Sequence, residues 1–225
     1  MSHKGNSRHI NRFAASKYMG IRKKLSTYVA KPSAGRHTLE NSIALLTLLK
    51  EKMGVAADSR EAVMIIKSGN VLVNGKAVKN KRYPVGFGDT VMLKSTGTTF
   101  RIGVAKHGAI HVEEGGSGTR YVKVIGKYMG AGSQIMIRLY DGSVLSGNNE
   151  IHVNDSVAVK GNSVGSVVKF SKGAKCYVIK GAHASESGMI KEINKGTATR
   201  TATVEVDSGK GTFQTLVNNI MVVGE

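Results

Sequence analysis

The sequence predicts an α+β chain that is mostly β, and three features lead to this prediction. Two helical patterns follow each other early in the chain, and short strand patterns separated by turn residues fill the rest. The 225 residues are 40% hydrophobic with no Trp, so the cores must be small and aliphatic. We predict four parts: a basic N-terminal arm (1–37), a helix-and-hairpin domain (38–100), a central small β domain (101–168) and a C-terminal small β barrel (169–225).

The arm is defined by its charge. The chain has 33 Lys and Arg against 15 Asp and Glu, a net charge of +18, which favours a polyanionic partner such as nucleic acid. Residues 1–37 hold nine of these cations and no carboxylate, which is half of the net charge. Because such a segment buries little on its own, we expect it to be flexible until it meets the polyanion. Its candidate RNA-binding residues are Arg8, Arg12, Lys17, Arg22, Lys23, Lys24, Lys31 and Arg36.

Two helices are predicted next. Residues 38–54 form an amphipathic pattern in which Thr38 is the expected N-cap and Gly54 the stop. A second helix is expected to begin near Asp58, which has capping-box spacing to Glu61, and to end at Gly69. The apolar stripe of each helix is predicted to be core.

A β-hairpin is predicted directly after the second helix. In "VLVNGKAV" the dipeptide Asn74-Gly75 separates two apolar runs, and both residues suit the positive φ angles of a two-residue turn. Cations on one helix and one tight hairpin lose little entropy on binding because their base is rigid. The candidate RNA-binding residues here are Arg60, Lys67, Asn74, Lys76, Lys79, Lys81 and Arg82.

From residue 98 onward the pattern is all strand. Hairpins are expected to turn near residues 106–108 and at Asp141-Gly142, and a domain boundary is expected within residues 161–173. The Gly- and Ser-rich stretch 114–119 is predicted to be a flexible loop. Short strands with frequent turns indicate small barrels.

Residues 60–89 resemble the S4-type RNA-binding module, which consists of two helices followed by a hairpin and is found in RNA-binding proteins. The resemblance rests on the Gly that ends the second helix, on "VNGK" at the hairpin and on "GD" before the last strand. The matching residues are Arg60, Ala62, Gly69, Val71, Val73, Asn74, Gly75, Lys76, Val78, Gly88 and Asp89. The resemblance implies an RNA-facing helix and hairpin.

Residues 173–193, "GAKCYVIKGAHASESGMIKEI", resemble a KOW motif, an element of a small SH3-like barrel in ribosomal and transcription-elongation proteins. The family usually has Gly where this chain has Ser185, so we expect the backbone to differ there. Candidate phosphate contacts in this part are Lys172, Lys175, Lys180, His183 and Lys191.

The order of these parts resembles the S4e family of small-subunit ribosomal proteins in its archaeal form. "KPSAGRH" (31–37), "YPVGFGD" (83–89) and the KOW-like stretch fall in the family's order. The resemblance implies a structural constituent of the small ribosomal subunit that binds ribosomal RNA in the cytoplasm beside neighbouring ribosomal proteins.

Signals for chemistry are absent from the sequence. There is no P-loop, the seven His residues show no helical pairing with a carboxylate, and the single Cys176 lies in an apolar strand pattern as a core thiol. We therefore expect no enzymatic activity, cofactor, metal or small-molecule substrate. No apolar run is long enough for a membrane helix, and no secretory signal begins the chain.

Three other functions are alternatives to a structural ribosomal protein. An RNA-modifying enzyme that carries an S4-type module needs a catalytic domain, for which residues 101–168 are too short and too rich in strands. A KOW-type transcription-elongation factor has no need for an all-basic arm. A membrane-surface protein needs a basic amphipathic helix with a wide apolar face, which the sequence lacks.

Overall fold

The computed structural model describes residues 7–115, 120–161, 163–197, 199–209 and 211–224. The described chain is mostly β with few helices. It divides into two compact units, residues 7–103 with 109–115 and residues 104–108 with 120–224. The loop predicted at 114–119 lies, from residue 116 on, outside the described residues.

The first unit contains nine short strands and two helical segments. The strands are β1 (His9–Asn11), β2 (Tyr28–Ala30), β3 (Ser42–Ala44), β4 (Val71–Val73), β5 (Lys76–Ala77), β6 (Pro84–Gly86), β7 (Thr90–Leu93), β8 (Thr99–Val104) and β9 (Ile110–Glu114). Helix α1 (Leu45–Thr47) continues as a π-helical stretch (Leu48–Lys52), and α2 covers Ser59–Lys67. One sheet has the order β5-β4-β7-β8-β9, and β1-β2 and β3-β6 are separate pairs.

The arm is folded in its described residues, so the prediction of a flexible arm is wrong there. Strands β1 and β2 pair antiparallel, and two 3-10 turns lie between them (Arg12–Ala14 and Lys17–Met19). Tyr18, Met19 and Val29 are buried, and β2 contacts α1. The free energy gained by burying these apolar residues offsets part of the entropy that is lost when the arm becomes ordered. The charge pattern alone had predicted that this entropy cost would keep the arm flexible.

The first predicted helix begins seven residues later than expected, at Leu45 rather than at Thr38. Residues 42–44 form β3 and pair with β6, with Ser42 opposite Gly86 and Ala44 opposite Pro84. The Thr38 side chain makes no cap, and its carbonyl accepts the Ser42 hydroxyl at 2.7 Å. The stripe is core at Ile43 and Leu49 but Leu39 is exposed.

The second helix and the hairpin form where the sequence predicts them, but the capping box expected from Asp58 and Glu61 does not form, because the Asp58 side chain makes no cap hydrogen bond. Helix α2 buries Ala62 and Ile66, and Glu61 reaches back to accept the Ala57 N–H at 2.8 Å. Asn74 and Gly75 have φ angles of 51° and 79°, so both turn positions take the left-handed conformation that a two-residue hairpin requires.

The second unit contains two five-stranded antiparallel sheets. Its strands are β10 (Arg120–Met129), β11 (Ile135–Leu139), β12 (Val144–Ser146), β13 (Ser156–Lys160), β14 (Ser163–Val168), β15 (Lys175–Val178), β16 (Ser187–Asn194), β17 (Thr203–Asp207), β18 (Thr212–Leu216) and β19 (Ile220–Val222). The strand orders are β12-β11-β10-β13-β14 and β18-β17-β16-β15-β19. The predicted turn at Asp141-Gly142 lies between β11 and β12. The predicted start of the central domain at residue 101 is wrong, because it falls inside β8, which belongs to the sheet of the first unit.

The two sheets of the second unit have separate aliphatic cores, and Lys123 forms a polar link between them. Val124, Ile137 and Leu139 are fully buried in the first core, and Cys176, Ile190 and Val206 are buried in the second. Lys123 on β10 is 3% exposed, and its Nζ donates to the carbonyls of Val217 at 2.6 Å and Ile220 at 2.9 Å. Burial lowers the pKa of Lys123 to about 8.

Ser185 has a φ of 74°, in the left-handed region that favours glycine. Its N–H donates to the Val178 carbonyl at 2.9 Å. The turn therefore carries the steric cost of a Cβ at positive φ.

Candidate nucleic-acid interface

Backbone hydrogen bonds join two segments that are far apart in the sequence, 31–37 and 80–89. The Ser33 N–H and hydroxyl both donate to the Arg82 carbonyl, at 2.7 and 3.0 Å. The Arg82 Nε donates to the Lys31 carbonyl at 2.9 Å, and the Lys31 N–H donates to the Arg8 carbonyl at 3.1 Å. Three cationic residues are thereby held in fixed positions next to one another.

A buried polar cluster fixes the same two segments from the inside. His37 Nε2 lies 2.8 Å from Asp89 Oδ2, which also accepts the Gly86 N–H at 3.0 Å. Asn74 donates to the other Asp89 oxygen at 2.7 Å. Burial by itself raises the pKa of Asp89, but the hydrogen bonds and charge of His37, with those from Asn74 and Gly86, lower it overall.

Gly86 leaves room for this cluster. A Cβ at that position would lie 2.5 Å from His37 Nδ1 and 2.7 Å from the ring carbon beside it. Contacts that short do not occur, so any side chain here would push the imidazole away from Asp89. The glycine of "YPVGFGD" and the histidine of "KPSAGRH" are therefore fitted to each other.

Arg82 and its neighbours Asn80 and Lys81 take part in lining a cleft of about 750 Å³, which we call the basic groove. Its cations come from three separate stretches of chain, namely the arm, the start of α2 and the segment before β6. None of the described residues that line it is acidic. The lining residues are Arg8, Ala30, Leu46, Ser59, Arg60, Val63, Asn80, Lys81 and Arg82.

The structure thus brings together four of the candidate residues, Arg8, Arg60, Lys81 and Arg82. Arg8, Arg60 and Lys81 are exposed, and Arg82 is half-buried. The remaining exposed candidates of the first unit lie outside the lining of this groove: Lys17, Arg22, Lys24, Lys67, Lys76 and Lys79. Lys31 and Arg36 are half-buried.

Three candidates make contacts inside the fold, and for the buried Arg12 this corrects its assignment to the RNA-facing surface. Arg12 is 4% exposed and forms an ion pair with Glu51. The Lys23 ammonium donates to the carbonyls of Arg12 at 2.9 Å and Ala15 at 2.7 Å. The Asn74 amide is occupied by Asp89 and by the Thr90 N–H, which it accepts at 3.0 Å.

The candidates of the second unit do not form a common cleft in the part of the chain that the structure describes. Exposed Lys172 lies 3.7 Å from Glu192. Half-buried Lys180 lies over the Tyr140 ring at 5.9 Å. His183 stacks on Phe213 with ring centroids 4.1 Å apart, and its Nδ1 lies 3.3 Å from Glu186. Lys175 and Lys191 are exposed on β15 and β16.

The prediction that Cys176 is a core thiol is confirmed. The residue is 2% exposed, and burial raises its pKa to about 11, which disfavours the reactive thiolate. Among the described residues no group of three or more His, Cys, Asp or Glu side chains is placed to hold a metal ion. In the described chain no helix has the length and apolarity needed to cross a bilayer.

The pairing of His37 with Asp89 was not predicted from the sequence. Both residues stand in the stretches that carry the family resemblance, "KPSAGRH" and "YPVGFGD". A single sequence contains no signal that a histidine and an aspartate 52 residues apart meet.

The comparisons with known proteins agree with this architecture. The S4 domain family matches residues 45–91, which cover α1, α2 and the hairpin. Small ribosomal subunit protein eS4 of Methanosphaera stadtmanae is 34% identical over 230 residues, spanning 100% of this chain and 95% of that protein. The eS4 protein of Methanothermobacter thermautotrophicus is 33% identical over 97% of this chain and 93% of its own length. The crystal structure of 30S ribosomal protein S4e from Thermoplasma acidophilum aligns with a TM-score of 0.70 at 25% identity, covering 82% of this chain and 95% of that one.

Proposed function

The chain belongs to the eS4 family of small ribosomal subunit proteins, and we propose that it is a structural constituent of that subunit which holds ribosomal RNA by several phosphate contacts at once. The basic groove carries this proposal. Four cations from three separate segments converge there, with no acidic residue among the described residues of its lining.

The groove suits an RNA backbone for a physical reason. Its cations stand on elements that hydrogen bonds already fix, such as Arg82 with Lys31 and Ser33. Little side-chain and backbone entropy is therefore lost when a phosphate arrives. Phosphate and shape, rather than base edges, are the features through which folded RNA duplexes are recognised. The remaining exposed cations of the first unit extend the contact beyond the groove.

We propose that the last part of the chain, from residue 169 on, is a KOW-type SH3-like barrel with a secondary role in RNA binding. The five-stranded sheet of β15 to β19 and the left-handed turn at Ser185 support this assignment. Lys172, Lys175, Lys180, His183 and Lys191 are its candidate RNA contacts. The sheet of β10 to β14 is the central β domain, and the division at 168/169 coincides with the end of β14.

The role is structural rather than enzymatic, since the relatives are ribosomal proteins. Partners are small-subunit ribosomal RNA and neighbouring ribosomal proteins, on cytoplasmic ribosomes. No small-molecule substrate, cofactor or membrane enters the proposal.

The test is sedimentation of a lysate that carries the tagged full-length chain through a sucrose gradient after a moderate-salt wash. The wild-type chain is expected in the small-subunit fraction. A variant with Arg8, Arg60 and Lys81 all replaced by Gln is expected to wash off at lower salt, because three phosphate contacts are lost.

The matched control replaces exposed cations that lie outside every candidate surface, Lys160→Gln with Lys195→Gln. This control is expected to stay with the subunit. Wild-type chain that sediments as a free monomer or with RNA polymerase would overturn the proposal, as would equal retention of the groove variant.

A further inference from the structure

The β1–β2 hairpin of the arm has two chemically different faces. Ile10 and Val29 pair across the hairpin and point inward, Val29 being 6% exposed. The alternate residues His9 and Tyr28 lie on the outer face, and Tyr28 is 57% exposed. With more than half of its surface exposed, the Tyr28 ring is not packed into the core.

The two outer rings hold each other in place. The centroids of His9 and Tyr28 are 4.6 Å apart with planes at 70°, an edge-to-face contact. His9 and Tyr28 are both exposed, so solvent reaches the pair of rings. The hairpin register, with Asn11 opposite Tyr28, fixes the pair on a rigid backbone.

A third aromatic residue lies in the 3-10 turn that follows β1. Phe13 is 70% exposed, so its ring contributes little to the core. Its N–H donates to the Asn11 side chain at 3.0 Å, which caps the 3-10 turn Arg12–Ala14. The arm thus exposes aromatic rings on two neighbouring elements.

The outer face adjoins the basic groove. Ala30 pairs directly with His9 and also lines the groove. Arg8, which precedes His9, lines the groove as well. The described arm contains no carboxylate, so the surroundings of the rings are cationic and complementary to a polyanion rather than to a basic protein partner.

We propose that the His9–Tyr28 face is a stacking platform for an unpaired base of the RNA strand whose phosphates occupy the basic groove. The inference rests on the proposed function and specifies the form of RNA at that site. Bases in a duplex are stacked within the helix, whereas unpaired bases can lie on an aromatic ring. Cationic side chains that follow the backbone, combined with aromatic rings that take the bases, are the usual means of binding single strands.

The test uses the full chain and two RNA probes at one salt concentration. One probe is a non-self-complementary single strand of about 12 nucleotides, with 2-aminopurine at its centre, and the other is the duplex of the same sequence. Tyr28→Leu, which keeps the bulk and removes the π face, should weaken single-strand binding by roughly 5- to 150-fold and abolish quenching of the 2-aminopurine. Duplex affinity should stay within about twofold, because phosphate contacts remain.

Two control variants make the test specific. Tyr28→Phe keeps the ring and should bind like the wild type. Tyr128→Leu removes a tyrosine that is 49% exposed on β10 and should leave single-strand affinity unchanged. Far-ultraviolet circular dichroism of all three variants verifies that they fold.

The outcomes separate this inference from the function on which it rests. Wild-type chain that binds neither probe contradicts RNA binding itself. Wild-type chain that binds both probes, with Tyr28→Leu either harmless or equally damaging on both, overturns the stacking platform and leaves the groove intact. Selective loss on the single strand together with lost quenching supports it.

Discussion

At the scale of single residues, burial decides what a cation of this chain does. Arg12 and Arg60 belong to the same unit and were equal candidates from sequence. Arg12 is 4% exposed and is paired with Glu51, with its Nε on the Ser26 hydroxyl at 2.8 Å. Arg60 is exposed at the start of α2 and lines the basic groove. The first therefore stabilises the folded arm, and the second is available to a phosphate.

The buried pair gives a stability prediction. Glu51→Gln leaves the Arg12 guanidinium buried without a counter-charge, which should lower the free energy of unfolding by about 3 to 5 kcal/mol. Urea denaturation followed by circular dichroism measures this change in the free energy of unfolding. The matched control is Glu192→Gln, which breaks the exposed Lys172–Glu192 pair and should cost less than about 1 kcal/mol. Equal costs for the two variants would contradict the structural role of Arg12.

The exposed arginine gives a binding prediction. Arg60→Gln should weaken binding to RNA of any sequence and reduce the slope of log affinity against log salt by about 1, since one phosphate contact is lost. Filter binding or fluorescence anisotropy over a salt series measures that slope. Lys160→Gln, an exposed cation outside the groove, should leave the slope as it is. An unchanged slope for Arg60→Gln would remove this residue from the interface.

At the scale of elements, the sequence predicted what is local and missed what is paired over a distance. The hairpin was predictable because Asn74 and Gly75 carry the turn in their own φ preferences. Strand β3 was predicted as helix because Leu39, Ile43 and Leu46 have helical spacing. Its conformation instead follows from pairing with Pro84–Gly86, a segment that lies 40 residues later. Periodicity within one window contains no information about such a partner.

The link between these distant segments is the Asp89 cluster, and its removal gives the third prediction. Asp89→Ala leaves His37, the Asn74 amide and the Gly86 N–H buried without their acceptor. The free energy of unfolding should fall by about 3 to 5 kcal/mol, and residues 31–37 should become accessible to limited proteolysis. Asp207→Ala, at an exposed aspartate that accepts the Gly209 N–H, is the control and should have little effect. A stable, protease-resistant Asp89→Ala variant would contradict the anchoring role.

The Asp89 cluster also makes the stability of the folded protein depend on pH in the acid range. Because the pKa of Asp89 is lowered in the folded protein, its contribution to stability is present above its ordinary value of 3.8. That contribution is lost as the pH falls from there through the folded-state pKa. The stability difference between wild type and Asp89→Ala should therefore shrink in acid.

At the scale of the whole molecule, composition predicted the partner but not the arrangement of the chain. The net charge of +18 and the carboxylate-free arm indicated a polyanion. The four predicted parts form two compact units, because the arm packs into the first unit and two sheets share the second. The groove draws on Arg8, Arg60 and Lys81, whose convergence depends on the tertiary fold and is therefore invisible to local patterns.

The buried lysine that links the sheets of the second unit gives a prediction in alkaline solution. Lys123 has a pKa of about 8 when folded against 10.5 for its ordinary value, so the unfolded chain binds its proton more tightly. Its contribution to stability should rise as the pH increases from about 8 toward 10.5. Denaturant unfolding at pH values of about 7.5 and 9.5 measures the free energy of unfolding of the wild type and of Lys123→Met. The difference between the two free energies should grow in favour of the wild type at the higher pH. A difference independent of pH would contradict the burial of a charged lysine.

The central claim is that this chain binds small-subunit ribosomal RNA mainly by neutralising several phosphates together. The most direct test is the affinity of the full chain for that RNA measured across a salt series. If about 6 to 10 phosphates are contacted, affinity should fall on the order of 10³- to 10⁵-fold between about 50 and 200 mM salt. An affinity that does not change over this range would contradict the account.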